Sequence, residues 1–430
     1  MTTNWAGNIT FSAQRVHRPA TVAQVQQLVA RSSSVRALGT GHSFNRIADT
    51  VGDLVSVAAL PHRVEIDSAG MRVLVSGGTR YGEVGGSLSA AGLALFNTGS
   101  LPHISVAGAC ATGTHGSGVG NPNLATAVEA FTMVAPSGDL VSVSREGAGD
   151  EFLGSVLALG RLGIVTDLTL RVVVGFEVAQ TVVEDVPDER IGTDLLDILS
   201  AAYSVSVFTS WARGSSAQIW LKRRVDAGSV GSGLEVGSAL EAESGSDKWG
   251  GRTAAVELNP VPGMPANNAT PQLGVPGPWN ERLPHFRMAF TPSSGRELQT
   301  EYLLPLECAA AAWAALSEIR DQIAAQLQIG EIRAVASDEM WLSPSSGRDC
   351  VAFHFTWVPD VAAVLPVVAA IERQLAPFQA RPHWGKVFTT DPTTLAELYP
   401  RMSDFCALAD RYDPGGKFGN QEVNRWLSEA

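Results

Sequence analysis

Gly39-Thr40-Gly41-His42-Ser43-Phe44-Asn45 follows directly on the apolar run Val35 to Leu38. A buried strand is expected to enter a turn that holds two glycines and a histidine. Glycine takes positive φ and carries no Cβ, so this backbone can bend sharply and lie against a flat or phosphorylated group. His42 would stand at the lip of that surface. A histidine in such a turn is more often a hydrogen-bonded structural residue than a reactive one, so its meaning depends on the rest of the chain.

Upstream, Thr10 to Val16 alternates loosely and reads as a strand stopped by Pro19. Thr21-Val22-Ala23-Gln24 reads as a capping box for a helix with Val22, Val25, Leu28 and Val29 on one face. Downstream come a strand at Val73 to Ser76, a helix from Tyr81 to Ala91, and a long run of small residues from Gly99 to Gly118. Small side chains let the backbone approach a ligand closely, and Val106, Ala107, Ala109 and Ala111 make this stretch too apolar for a solvated linker. Strands at 130–136 and 140–143 flank Ser137-Gly138 as a hairpin, and an apolar helix at 152–162 precedes a long strand from Ile164 to Val174.

Beyond 174 the pattern changes. A helix is expected at 191–203 and strands at 205–211 and 218–222, followed by a Gly/Ser/Glu-rich surface insertion over 226–251. A proline-rich covering segment over 259–284 comes next. Strands follow at 287–291 and 298–304, then an alanine-rich helix at 307–327, strands at 330–335 and 351–357, and a helix at 361–374. Pro382-His383-Trp384-Gly385-Lys386 and Asp413 to Asn420 read as ligand-facing turns.

With 430 residues the chain is long enough for two or three units. Hydrophobic residues at 45% against 17% charged give a large core. A net charge of -12 disfavours nucleic acid and anionic membranes, which need a basic footprint, so the expected partner is a small molecule. Cys110, Cys308, Cys350 and Cys406 form no metal or disulfide pattern, and no metal site is expected. The N-terminal residues lack a signal-peptide pattern and no apolar run reaches membrane length, so a cytoplasmic protein is the default expectation, taken as a monomer without a sequence feature that fixes it. A GxGxxG fingerprint is missing because Phe44 stands where the third glycine belongs. P-loop, GxSxG and HExxH patterns are missing too.

The glycine-histidine turn, Thr112-Gly113-Thr114-His115-Gly116, Gly163-Ile164-Val165 and Trp384-Gly385-Lys386 together resemble the vanillyl-alcohol-oxidase-type FAD-linked oxidases. Leu101 to Gly108, Glu331-Ile332-Arg333, His354-Phe355-Thr356-Trp357, Arg381 to Lys386 and Asp413 to Phe418 make the chain similar to their alditol (xylitol/sorbitol) oxidase branch. The resemblance implies an α+β, two-domain FAD-binding fold whose substrate domain is an antiparallel sheet flanked by helices. The FAD domain would span 1–174, with 387–430 returning to it, and the substrate domain 175–386.

The resemblance further implies FAD attached covalently through His42, because a neutral imidazole is a competent nucleophile. Leu101 stands where a second, thiol attachment would need cysteine. Backbone N–H groups of Gly39 to Asn45 and of Thr112, Gly113, Thr114 and His115 would hold the cofactor, with Ser100, Ser105, Gly108, Val165 and His383 touching it. Strand periodicity puts Glu331 with Arg333, and His354 with Thr356, on shared faces. Glu331, Arg333, Thr356 and Ser100 would bind a polyol. Arg333 and Lys386 would lower the cost of the alkoxide, with His354 a weaker candidate base. The implied reaction is oxidation of a terminal hydroxyl with O2 reduced to H2O2, Gly99 leaving room for O2. An aldonolactone dehydrogenase with a quinone or cytochrome acceptor is the alternative, and a flavin-binding module without turnover a third reading.

Overall fold

The structure, a computed structural model, describes residues 2–225, 249–261, 263–290 and 296–428. Most of the insertion expected over 226–251 lies outside the described residues. The N-terminal part holds two main sheets, besides an antiparallel pairing of Leu93–Ala94 with Val173–Val174. Arg15–His17 (β1), Val35–Ala37 (β2) and Asp53–Val55 (β3) form a small parallel sheet in the order β1-β3-β2, beside the helix Val22–Arg31 (α1). Thr21 caps α1 by accepting from the Gln24 N–H, as the capping pattern expects, but Gln24 Oε1 accepts from the Ala20 N–H, one residue before the cap, rather than from Thr21.

Val64–Asp67 (β4), Arg72–Ser76 (β5), Val128–Val134 (β6), Leu140–Ser144 (β7) and Ile164–Arg171 (β8) form an antiparallel sheet in the order β4-β5-β8-β6-β7. Tyr81–Ala90 (α2) and Val106–Ala111 (α3) pack on it. The small-residue run is therefore not all loop: its middle is the short helix α3. The helix expected at 152–162 is Asp150–Val156 only.

The second unit is built on one large antiparallel sheet. Its main strands are Glu177–Pro187 (β9), Ser204–Thr209 (β10), Ser216–Val225 (β11), Leu298–Pro305 (β12), Leu327–Val335 (β13), Cys350–Trp357 (β14) and Arg381–Pro382 (β15), in the order β9-β11-β10-β13-β14-β12-β15, and the two-residue strands Arg252–Thr253 and Gly277–Pro278 both pair with β9. Asp188–Leu199 (α4), Ala309–Glu318 (α5) and Val361–Leu375 (α6) cover one face. The alanine-rich helix expected at 307–327 breaks at Ile319 and resumes as Arg320–Gln326. No strand forms at 287–290.

The two-residue period of the strands decides which residues meet the helices. Val205, Val207, Ile219, Leu221, Ile332, Ala334, Phe353 and Phe355 share one core with Leu195, Leu316 and Ile371 of the helices. Burying each such side chain contributes on the order of 1.5–3 kcal/mol, which fixes the register of all the strands at once. The residues between them are thereby committed to the opposite face.

Pro392–Leu398 (α7), Met402–Tyr412 (α8) and Gln421–Trp426 (α9) place Leu395, Phe405, Leu408 and Trp426 in the core of the N-terminal part. The turn at 413–420, expected to face a ligand, has its polar groups engaged within the protein instead. Asp413 accepts from the Lys417 and Phe418 N–H groups, Lys417 Nζ donates to Val29 O and Pro136 O, and Asn420 Nδ2 donates to Arg46 O, Ile47 O and Asp49 O. This turn braces the segment after the glycine-histidine turn from behind.

Candidate active site

A cleft of about 2200 Å3 of atom-free space, counting its mouth, runs between the N-terminal part and the face of the large sheet opposite α4, α5 and α6. Gly39, Thr40, Gly41, His42, Ser43, Phe44 and Asn45 all line it, as do Ser100, Ser105, Gly108, Thr112, Thr114, His115, Val165 and His383. Glu331, Arg333, His354, Thr356 and Lys386 line the same cleft. Gly113 does not: with φ +70 it turns the chain, and a Cβ there would meet Leu157 and Pro344.

In the opening turn, Gly41 takes φ +74. Gly39 packs so close to Ser105 that a Cβ would lie 2.7 Å from its Oγ. Phe44 N–H donates to Gly385 O, but no described residue accepts from the N–H groups of Gly39, Thr40, Gly41, His42 or Ser43. Five consecutive unengaged donors in a cleft suit an anionic ligand such as a pyrophosphate. Beneath the turn the buried Arg36 guanidinium donates to Gly160 O, Phe418 O, Leu159 O and Ile47 O. Burial, with Arg161 nearby, lowers its pKa to about 9.

The second loop differs from expectation. Its Thr112, Gly113 and Thr114 N–H groups donate back to Ala109 O and Cys110 O, closing the end of α3. Thr112 and Thr114 therefore offer the cleft hydroxyls rather than backbone donors.

His42 is neutral at physiological pH: burial first, then His103 and Arg80, lower its pKa to about 4. Its Nδ1 lies 2.9 Å from Thr40 Oγ1. Trp5 stacks on the ring at 5.0 Å between centroids and donates its N–H to Gly41 O. Asn4 and Asn8 hold the Ser43 and Phe44 carbonyls. Nothing in the sequence pattern singled out Trp5.

The polar face of the large sheet supplies the far wall. Register sets Glu301, His354 and Glu331 in a row across β12, β14 and β13. Glu301, which the motifs did not identify, is the hub. Its Oε1 accepts from Arg333 Nη2 at 2.5 Å and its Oε2 from Lys386 Nζ at 2.6 Å, with His115 Nε2 3.5 Å away. Burial disfavours its charge, but Arg333 and Lys386 win and hold the carboxylate well below the usual range. Its signal was present, since strand parity puts Gln299 and Glu301 on one face just as it pairs Glu331 with Arg333.

Lys386 Nζ also lies 2.6 Å from His354 Nδ1. Burial is the main cause that lowers the Lys386 pKa, with Arg333 adding to it against Glu301. His354 is driven to about 3 by burial and by Lys386. With Nδ1 facing the lysine, His354 Nε2 is left for Thr356 Oγ1 at 3.0 Å. Arg333 is different: burial opposes its charge, yet Glu301 and Glu331 raise its pKa overall, so it stays a cation. Its Nε and the Nε2 of His115 are buried without a hydrogen bond, each facing a carboxylate, Glu331 Oε1 at 3.6 Å and Glu301 Oε2 at 3.5 Å, which leaves them able to take a ligand oxygen.

These residues fit FAD and a polyol together: glycine-rich backbone donors on one wall, apolar contacts from Ile104, Ala107 and Val165, and a charged, hydrogen-bonding end on the other. Among the described residues, no group of histidine, cysteine and carboxylate side chains could hold a metal.

Residues 13–144 match the FAD binding domain family, and residues 290–428 the D-arabinono-1,4-lactone oxidase family. The chain is 51% identical to an alditol oxidase of Streptomyces sp. (strain IKD472 / FERM P-14339), covering 97% of both chains. It is 28% identical to the L-gulono-1,4-lactone dehydrogenase of Mycobacterium tuberculosis (strain ATCC 25618 / H37Rv), over 99% of this chain and 98% of that one. Among solved structures, cholesterol oxidase from B. sterolicum superposes with a TM-score of 0.75 at 13% identity, over 99% of this chain and 96% of that one. A chitooligosaccharide oxidase does so with 0.75 at 14%, over 97% and 93%. At such identities the structural likeness fixes the fold alone.

Proposed function

The chain belongs to the alditol oxidase family of vanillyl-alcohol-oxidase-type FAD proteins, and from that premise we propose that it oxidises a terminal primary hydroxyl of a polyol such as xylitol or sorbitol to the aldose. The observation that carries the reading is the shared cleft: the glycine-histidine turn and the Glu301-Arg333-Lys386-His354 cluster line one cavity. FAD, held by the backbone of Gly39 to Ser43 with Ser105 and Val165, would supply the hydride-accepting and O2-reducing chemistry of an oxidase whose by-product is H2O2.

The protein's own part is to hold the polyol and manage one proton. Glu331 accepts hydrogen bonds from the substrate's hydroxyls, and Ser100 and Thr356 contact the reacting end. Arg333, charged throughout, faces the developing alkoxide and lowers the cost of negative charge there, its Nε lying 3.6 Å from Glu331 Oε1 without a hydrogen bond. His354 alone is a poor base because Lys386 occupies its Nδ1. The Lys386–His354 pair is a better acceptor: burial and Arg333 make the Lys386 proton easier to lose, so the pair can take the hydroxyl proton during reaction. Arg333, Lys386 and His354 are thus the catalytic residues in this reading.

The same proposal assigns residues 1–174 with 387–430 to FAD and 175–386 to substrate, in a cytoplasmic monomer. Gly99 supports O2 as acceptor, since a methyl there would take up space against Thr114 Cγ2 at 3.5 Å and Ile104 Cδ1 at 3.6 Å.

His42 is assigned the covalent bond to FAD. Its lowered pKa keeps a nucleophilic lone pair available, and Trp5 fixes the ring plane. Acid precipitation is expected to leave a yellow pellet whose flavin maps to the peptide containing His42, and His42→Ala is expected to release free flavin. Free flavin from the unaltered protein would contradict the linkage while leaving FAD binding intact.

A further inference from the structure

Behind Glu331 lies a second buried charge that the reaction as derived above does not use. Lys222 on β11 is 1% exposed and, among the described residues, has no carboxylate within hydrogen-bond reach. Its Nζ meets three acceptors: Leu283 O at 2.5 Å, Pro284 O at 3.3 Å and His285 Nδ1 at 3.2 Å. His285 reaches the sheet from the proline-rich segment, and Phe208 and Trp220 pin its ring edge-on at 5.3 and 5.7 Å. Its Nε2 lies 2.9 Å from Glu331 Oε1 and 3.3 Å from Ser206 Oγ. Among the described residues nothing donates to Glu331 Oε2.

Hydrogen counting then links the three groups. An ammonium has three N–H donors, one for each acceptor, so His285 Nδ1 must carry a lone pair and Nε2 the proton. That proton is donated to Glu331, fixing Oε1 and turning Oε2 toward the cleft. A neutral amine has only two N–H donors for the three acceptors, and when both go to the carbonyls its lone pair meets Nδ1–H. His285 would then present a lone pair to the Glu331 carboxylate and repel it.

We infer that Lys222 is a positioning residue for polyol binding, acting through the His285 tautomer to orient the Glu331 carboxylate toward the substrate's hydroxyls. The inference rests on the proposed role of Glu331 in binding polyol. Burial lowers the Lys222 pKa to about 7, against Glu331, which raises it, and with Arg333. The titratable and charged groups facing Lys222 are His285, Glu331 and Arg333. Because the folded value is depressed, the ammonium is present below it and lost as pH rises through it.

The test uses FAD-loaded protein with xylitol and sorbitol, reading KM and the limiting rate of flavin reduction separately across pH. In the unaltered protein KM is expected to rise as pH passes above about 7. In Lys222→Met, KM is expected to be raised about tenfold or more at every pH, with the limiting rate changed much less. His285→Gln in the Lys222→Met background should lower KM again, because an amide N–H can donate to Glu331 without a fixed tautomer. A flat KM profile in the unaltered protein, or an unchanged KM in Lys222→Met, would overturn the inference. Should Lys222→Met fail to fold, the pH profile of the unaltered protein and of His285→Gln decides. Glu331→Gln separates the two levels: if it leaves KM unchanged the role of Glu331 itself fails, whereas a raised KM there with no effect at Lys222 refutes only the present inference.

Discussion

Lys386→Met is expected to slow flavin reduction by polyol by about 10²–10⁴-fold, the usual contribution of a positioned proton acceptor. The methionine keeps the stem that packs among buried neighbours but loses the nitrogen that joins Glu301 Oε2 to His354 Nδ1. Because the lost interaction acts in the transition state, kcat and kcat/KM should fall together. The pH profile gives the sharper signature. The unaltered enzyme should speed up as pH rises through the Lys386 value, which burial holds below the ordinary 10.5, and this limb should vanish in the variant. Lys386→Arg should not restore the rate, since guanidinium does not release its proton in a protein. Stopped-flow reduction without oxygen measures all three, and an unchanged rate in Lys386→Met would end the assignment.

Glu301→Leu is expected to give the largest loss of stability, about 3–5 kcal/mol, because it leaves Arg333 and Lys386 buried without their shared counter-charge. Arginine cannot escape by deprotonating, but lysine can. A lysine whose folded pKa is depressed destabilises most at low pH, and the deficit fades as pH rises toward its unfolded value of 10.5. Urea denaturation at several pH values should therefore show a deficit that shrinks with rising pH. In the unaltered protein, the Glu301 pKa is lowered, so its contribution is present above the ordinary carboxylate value of 4.5 and is lost only as pH falls through the depressed one. A variant as stable as the parent would mean that Glu301 is not the hub.

How far the sequence discloses this site follows from the range of each signal. The glycine-histidine turn is local: strand, bend and side chain lie within eleven residues, so their roles could be read in place. Glu331 with Arg333 and His354 with Thr356 were legible through parity, which a single strand carries by itself. Glu301 obeys the same parity, but no neighbouring motif drew attention to it. Lys222 and His285 were not legible, because their meeting depends on the path of the proline-rich segment across the sheet. The eleven-residue strand β9 was missed for a local reason: its register slips between Val183 and Val186, and Asp185 takes φ +61, which breaks the alternation. Asp413 looked ligand-facing because its turn is rich in glycine. Its carboxylate is instead spent on the N–H groups of its own turn.

The most direct test mixes the FAD-loaded protein with xylitol or sorbitol in the absence of oxygen and then admits air. The account predicts that the yellow absorbance bleaches with polyol, returns with O2, and releases one H2O2 per turnover. Bleaching by an aldonolactone but not by either polyol, or colour that returns only with an artificial quinone acceptor, would contradict it.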